Sequence, residues 1–300
     1  MKERSVGFRL TDALLIVLTV LPFAAAIALR VITNPASEGI HIAGANVFFT
    51  VPMPLQDMPI TESQINSWLV IVSLFFLCLY FTHGISEKGG LRRQMIAEWI
   101  VEKTDNLVRE NMGEYFKAFS PFVAGIIGLS IFSSLLTLMG LYPPTSDLNV
   151  IAGWAVLVFV LITYYKLKGG ILCYLKGFTE PIPVFTPFNI ISEFATPVSM
   201  SFRHYGNVLS GSVISALVAA GLAGASNAIF NLIGLNTDFP LLRVGIPAVL
   251  SLYFDIFSGC LQAFIFAMLT MLYVSGGFPV EEWEKRMNRK KNKKSKNQSA

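Results

Sequence analysis

The stretch NIISEFATPVSMSFRHYGNVLSGSVISALVAAGLAGA, residues 189–225, decides the fold. It is mostly apolar, and its only full charges are Glu193 and Arg203. As a helix rising about 1.5 Å per residue it would reach about 55 Å, far beyond a hydrocarbon core of about 30 Å. It must therefore tilt steeply, bend or break. Arg203 cannot shed its proton in a protein, so it carries its charge into whatever medium the fold provides. At a membrane midplane that costs roughly 2.5 to 3.5 kcal/mol, which marks intramembrane charge as functional. The preceding segment GFTEPIPVFTP, residues 177–187, holds Pro181, Pro183 and Pro187, which delay the helix start to about Phe188. A second long apolar run, residues 241–276, completes the expected steeply tilted helical hairpin.

The rest of the chain agrees with a membrane setting. Its 300 residues are 53% apolar and 14% charged, with a mean hydropathy of +0.59, whereas a soluble domain is about 25% charged. Further apolar runs near residues 10–32, 66–84, 119–141 and 149–165 bring the expected number of membrane segments to six. The first could pass for a secretory signal, with MKERSVGFR as its basic head and AAAIA as a cleavage site. Its apolar stretch of about 20 residues is long for a signal and favours a retained helix. Lysine and arginine gather in residues 2–9, 88–117, 166–176 and the tail. The loops 31–65, 142–148 and 226–242 have none, and the first of them holds Glu38, Asp57 and Glu62. This alternation puts both termini in the cytoplasm, with Arg30 and Arg243 flanking the outer face. The sequence thus reads as an all-α integral membrane protein.

Between the second and third segments, Leu91, Met95, Ile96, Trp99, Ile100, Leu107, Val108, Met112 and Tyr115 recur at helical spacing among charges. They define an amphipathic helix over 91–116 on the cytoplasmic surface, facing either lipid or a partner. The tail EKRMNRKKNKKSKNQSA, residues 284–300, reads as a disordered basic tail near anionic headgroups rather than a nucleic-acid site. Cys78, Cys173 and Cys260 are odd in number, lie in or beside apolar runs and read as small core hydrophobes. There is no phosphate loop and no Cys or His pair at metal spacing, and His41, His83 and His204 are scattered. No catalytic, cofactor or metal site is expected on this chain.

The last two segments concentrate the polar residues. On a straight helix Arg203, Asn207 and Ser210 share one face, and Asp255 and Gln262 share another. Charges of each sign on adjacent membrane helices are the pattern of an ion path. The competing reading is a buried structural ion pair between Arg203 and Asp255. His204 lies about 100° off the Arg203 face and reads as packing or hydrogen bonding. Glu193 is either a helix-start carboxylate or an ion-path residue. A secondary transporter or antiporter using Arg203 and Asp255 is the alternative function, although no internal repeat supports it.

Three stretches resemble the a subunit of F-type ATP synthases: PPTSDLNV (143–150), NIISEFATPVSMSFRHYGNVLSG (189–211) and LQAFIFAMLTMLYVS (261–275). The resemblance runs from about residue 60 to 278. It implies three parts: an N-terminal helix and external loop (1–64), a channel domain (65–278) and a basic tail (279–300). It implies an ion-translocating stator subunit with two offset half-channels, in which Arg203 is the essential charge facing the rotor. Asn207 and Gln262 match its polar neighbours, and Glu193 matches a carboxylate of the cytoplasmic half-channel. Where several members carry an outer glutamate this chain has Ser212, and Asp255 stands at the titratable position of the last helix. The resemblance suggests that the outer acid has moved across the helix pair. The implied partners are a ring of small c-type rotor subunits, peripheral-stalk b-type subunits, the rest of the complex and membrane lipid, in a bacterial plasma membrane. Proton or sodium is not legible, because the rotor carboxylate is on another chain.

Overall fold

The computed structural model describes residues 6–33, 44–54, 57–86, 92–179, 182–232, 242, 245, 249–250 and 252–288. The helices are α1 (Val6–Thr33), α2 (Glu62–Thr82), α3 (Arg92–Met112), α4 (Ser120–Leu138), α5 (Leu148–Leu167), α6 (Ile171–Thr179), α7 (Thr186–Leu232), α8 (Gly259–Gly276) and a short α9 over residues 280–288. Among the described residues, α1, α2, α4, α5, α7 and α8 are long and apolar enough to cross a membrane. The protein is an all-α membrane protein of six such helices, and the large apolar side chains on their outer faces, Trp68 and Leu217 among them, are exposed.

Small residues set how closely the helices approach. Ser130, Ser133 and Ser134 on α4 are all buried, and Gly259 at the start of α8 packs on Ser134. A Cβ on Gly259 would lie 2.6 Å from both Ser134 Cβ and Oγ, the kind of contact that small residues permit between membrane helices. Beyond it, Phe266, Met271 and Val274 of α8 join Val123 of α4, Val158 of α5 and Met200 of α7 in the main apolar core.

The segment 189–225 does not break. It lies inside the continuous 47-residue α7, about 70 Å long at 1.5 Å per residue. The helix starts at Thr186, two residues earlier than the prolines suggest, because Pro187 sits in the first turn where its missing N–H has no intrahelical partner to lose. Pro197, inside the helix, removes the backbone bond to the Glu193 carbonyl. Its antiparallel neighbour begins irregularly, with the π-helical turn Leu252–Ser258 leading into α8.

Four features depart from the sequence reading. The loop 31–65 contains an antiparallel hairpin, Val47–Val51 with Met58–Thr61, and α2 begins at Glu62 within that supposed loop. Part of the basic loop 166–176 belongs to α6, which the sequence reading left as loop. The amphipathic helix ends at Met112, where Gly113 adopts a φ of 83°, a conformation favouring glycine, before the 3₁₀ turn Glu114–Phe119. Its apolar residues divide: Val108 and Met112 enter the core, while Met95, Ile96, Trp99 and Ile100 are exposed. Finally, α9 overlaps the start of the supposed tail and is docked, with Trp283 against Tyr115 and Phe278, and Arg286 donating to the Lys168 carbonyl at 3.1 Å. Residues 289–300 lie outside the described residues.

The two ends of the bundle differ in chemistry. At the basic end, Asp12 of α1 pairs with Arg93 at 2.6 Å and with His83 at 3.0 Å, which fastens α1 to α2 and α3. Lys166, Lys168 and α9 lie at this same end. The opposite end carries the hairpin, the start of α2 and the 142–147 segment.

Candidate functional site

Arg203 lies near the middle of α7 on an exposed flank, together with Asn207 and Ser210. Among the described residues it has no hydrogen bond or ion pair, and no pair joins it to Asp255. The structural ion-pair alternative therefore has no counterpart in the fold. Asn207 Nδ2 donates to Gln262 Oε1 at 2.7 Å, and Gln262 is buried on α8. One amide pair thus fixes α7 against α8 one turn from the arginine.

Ten residues earlier on α7, Glu193 sits at the basic end and is 11% exposed. Its Oε2 accepts from Lys166 Nζ of α5 at 2.5 Å, while Oε1 is buried without a hydrogen-bond partner. The pair lines a cavity of about 650 Å³ that is also bounded by Tyr174, Asn189, Ser192 and Tyr273. α6 forms one wall, tied to α7 by Asn189 Nδ2 donating to the Phe178 carbonyl at 2.8 Å. The cavity has room for water and ends on this carboxylate, whose unpaired oxygen is buried behind its wall. Lys166 was missed in the sequence, where it counted only as a topogenic charge.

Ser212 is exposed, and its hydroxyl returns to the Leu209 carbonyl at 2.8 Å. Asp255 is half-buried in the π-helical turn. Because i→i+5 bonding puts more residues in each turn, the straight-helix projection that set Asp255 and Gln262 on one face does not hold across this segment. The turn packs on α7 one residue before Asp255 and one before Ser212, where a Cβ on Gly211 would meet Phe254 Cβ at 3.3 Å.

A second polar assembly occupies the hairpin end. Glu62, only 4% exposed, accepts from Asn46 Nδ2 at 3.0 Å and from the Tyr142 backbone N–H at 3.4 Å. Ser63 donates to Asp147, Asn66 donates to the Tyr142 carbonyl at 2.8 Å, and Asp147 also accepts from the Asn149 N–H at 2.9 Å. Burial, with the charge of Asp147 and then those of Tyr205 and Glu62, holds the Tyr142 phenol above its usual range. Tyr142 therefore stays a neutral donor, to the Ser146 carbonyl at 3.1 Å. Deeper, the Thr145 N–H donates to Ser133 Oγ at 3.1 Å, and Ser130 Oγ lies 3.5 Å from His204 Nε2. His204 is 1% exposed, packs edge-on against Phe266 and leaves Nδ1 buried without a partner. Sequence separation hid this assembly, because its members come from four segments of the chain.

Six helices long and apolar enough to cross a membrane among the described residues, one of them carrying an arginine on its exposed flank, define a multi-pass membrane protein. The chain belongs to the family described as ATP synthase A chain, whose model matches residues 64–275. It is similar to ATP synthase subunit a of Legionella pneumophila, at 28% identity over 227 residues, which are 75% of this chain and 90% of the relative. It is 30% identical to ATP synthase subunit a 1 of Crocosphaera subtropica over 72% of this chain and 86% of that one. The sodium ion specific subunit a of Propionigenium modestum is 27% identical, over 81% and 88%. The chain is thus a membrane-sector component of the F-type ATP synthase and not a catalytic subunit.

Proposed function

We propose that this chain is the ion-translocating stator subunit, with two laterally offset half-channels that meet at Arg203. The observation that carries this reading is the state of Arg203, exposed on α7 and without a partner among the described residues, while Asn207 and Gln262 hold the helix beside it in place. A charge that cannot be neutralised, presented on an exposed flank, needs an anion from another chain. The carboxylate of a c-type rotor subunit supplies one. Facing Arg203, that carboxylate is favoured in its ionised form and gives up its ion. It can re-enter lipid only after taking another ion from the second half-channel. Arg203 also stands between the two aqueous routes as a barrier to direct leak.

In this reading the cavity at Glu193 is the cytoplasmic half-channel and Asp255, beside Ser212, is the acid of the outer one. Peripheral-stalk b-type subunits hold the chain against the turning ring. The basic end faces the cytoplasm of a bacterial cell, with both termini on that side, since that end carries the lysines and arginines. At about 2.3 kcal/mol per charge per 100 mV, each ion's passage supplies the work that drives rotation.

The test is Arg203→Ala in the whole complex, read by gradient-driven ATP synthesis in membrane vesicles. The expected result is an assembled complex with synthesis below a tenth of normal. Coupled synthesis at the parental rate would overturn the assignment.

A further inference from the structure

α7 is long but lightly held. Of its 47 residues, Pro197, Met200, Ser201, His204, Gly211 and Ser226 are buried, and all but Ser226 fall between residues 197 and 211. Around that grip the helix is uncovered, with Val198, Phe202 and Leu217 exposed. A helix held over so short a length can roll about its axis unless a side chain inside the grip resists turning. His204, at 1% exposure, is the most enclosed large side chain of α7.

Its ring enters the place where three other helices meet. Nε2 lies 3.5 Å from Ser130 Oγ of α4. Trp154 of α5 stands at 80° to the imidazole with centroids 6.3 Å apart, and Phe266 of α8 stands at 82° and 5.6 Å. Trp154 and Phe266 also meet each other, at 70° and 6.4 Å, so the three rings form a corner in which each is edge-on to the others. A leucine would fill the same volume without an unpaired polar atom, whereas His204 leaves Nδ1 buried without a partner. A leucine has no plane for the corner to hold. A flat ring wedged between two others resists rotation of the helix that carries it.

We propose that His204 is the positioning residue of Arg203: resting on the reading of the chain as the ion-conducting stator, it sets the roll of α7 and so the direction in which the arginine leaves the bundle. Arg203 immediately precedes it, about 100° around the helix, and has no partner of its own among the described residues, so its bearing comes from the helix. With the charge carried about 5–6 Å from the axis, a roll of about 20° moves it about 2 Å. Misplacement by about 1 Å can cost a factor of about 100 where function depends on alignment. A displaced charge neither empties each rotor carboxylate in turn nor separates the two aqueous routes, and the complex then slips while staying assembled.

The experiment uses the whole complex reconstituted in liposomes and reads ATP-driven membrane potential, with a voltage-sensitive dye, against ATP hydrolysis, so that the outcome is independent of which ion is carried. His204→Ala should lower the initial charge movement per ATP hydrolysed at least fivefold, at parental complex yield and with hydrolysis at least half of parental. His204→Phe combined with Ser130→Ala, which makes room for the longer ring, should recover at least half of the parental ratio. Passive conductance of vesicles stripped of the soluble head should rise in His204→Ala. It should rise no further when His204→Ala is added to Arg203→Ala, because a residue that acts through the arginine then has nothing to position. A parental ratio in His204→Ala, a ring replacement no better than alanine, or conductances that add would each overturn the assignment. If His204→Ala assembles poorly, His204→Leu, which fills the volume without a plane, replaces it under the same criteria. Arg203→Ala separates the two levels: parental coupling in that variant refutes the stator reading, whereas its failure beside a parental His204→Ala refutes the positioning role alone.

Discussion

Lys166 of α5 and Glu193 of α7 lie 2.5 Å apart, nitrogen to oxygen, in the wall of a cavity of about 650 Å³ at the basic end. The pairing joins two helices across 27 residues of sequence and leaves the other carboxylate oxygen buried without a hydrogen-bond partner. A cation held this close keeps the carboxylate oriented. It also makes each partner depend on the other, since removing one half of a buried pair leaves an uncompensated charge.

Lys166→Met alone should therefore reduce the yield of assembled complex several-fold, and Glu193→Gln alone should do so less, because the half-exposed ammonium can reach water. The double variant should recover assembly while conducting ions at less than a tenth of the parental rate. The measurements are complex yield from mild-detergent extracts and passive conductance of vesicles stripped of the soluble head. Normal conductance in the double variant would remove Glu193 from the ion path.

Asp255→Asn should slow translocation strongly in both directions without loss of assembly. Gly211 and Phe254, one residue before Ser212 and Asp255, are in contact distance, so the two helices are close at this level. Adding Ser212→Glu should restore part of the rate. Pumping in inverted vesicles distinguishes the outcomes, and a single variant that pumps normally would make Asp255 structural.

Gly259→Val should destabilise the helix bundle by about 1–3 kcal/mol, the usual range for overpacking, since even a Cβ would fall 2.6 Å from Ser134. Gly259→Ala should be milder and should improve when Ser134→Gly is added. Thermal retention of this chain in the purified complex measures it, and additive effects of the two substitutions would contradict the contact.

Truncation after residue 288 should leave ion coupling intact, whereas truncation after residue 279 should weaken assembly. The second cut removes Trp283 and the hydrogen bonds of Glu284 to Tyr115 and of Arg286 to Lys168. Complex yield and ATP-driven pumping of the two truncations are the comparison, and equal yields would show that the α9 contacts add nothing.

The sequence exposed what depends on composition over a span of about 20 residues. Six apolar segments and the exceptional length of α7 follow from runs of side chains, and so does the common flank of Arg203 and Asn207, because 3.6-residue periodicity survives in a continuous helix. It concealed what depends on distant pairing. Lys166 carries no mark that separates it from Lys168, and only the packing of α5 on α7 brings it to Glu193. Glu62 looked like an ordinary loop charge, because its burial comes from the hairpin Asn46 and from Tyr142, 80 residues away. The π-helical turn at Leu252–Ser258 was hidden for another reason: the same apolar residues suit either winding, and contacts with α4 and α7 accompany the wider one.

The slope of α7 has a consequence for how the machine is geared. A straight rod of about 70 Å kept within a layer of about 30 Å lies at about 65° to the membrane normal. Glu193 and Ser212 are 19 residues apart on it, or about 28 Å along the axis. Most of that distance, about 25 Å, becomes displacement in the plane of the membrane, and only about 12 Å becomes depth. On the proposed reading, in which Glu193 and Ser212 mark the two half-channels, the sideways step between them is set by the inclination of a single helix. Inserting or deleting a turn of α7 between these residues would change that spacing by a few ångströms while leaving every loop untouched.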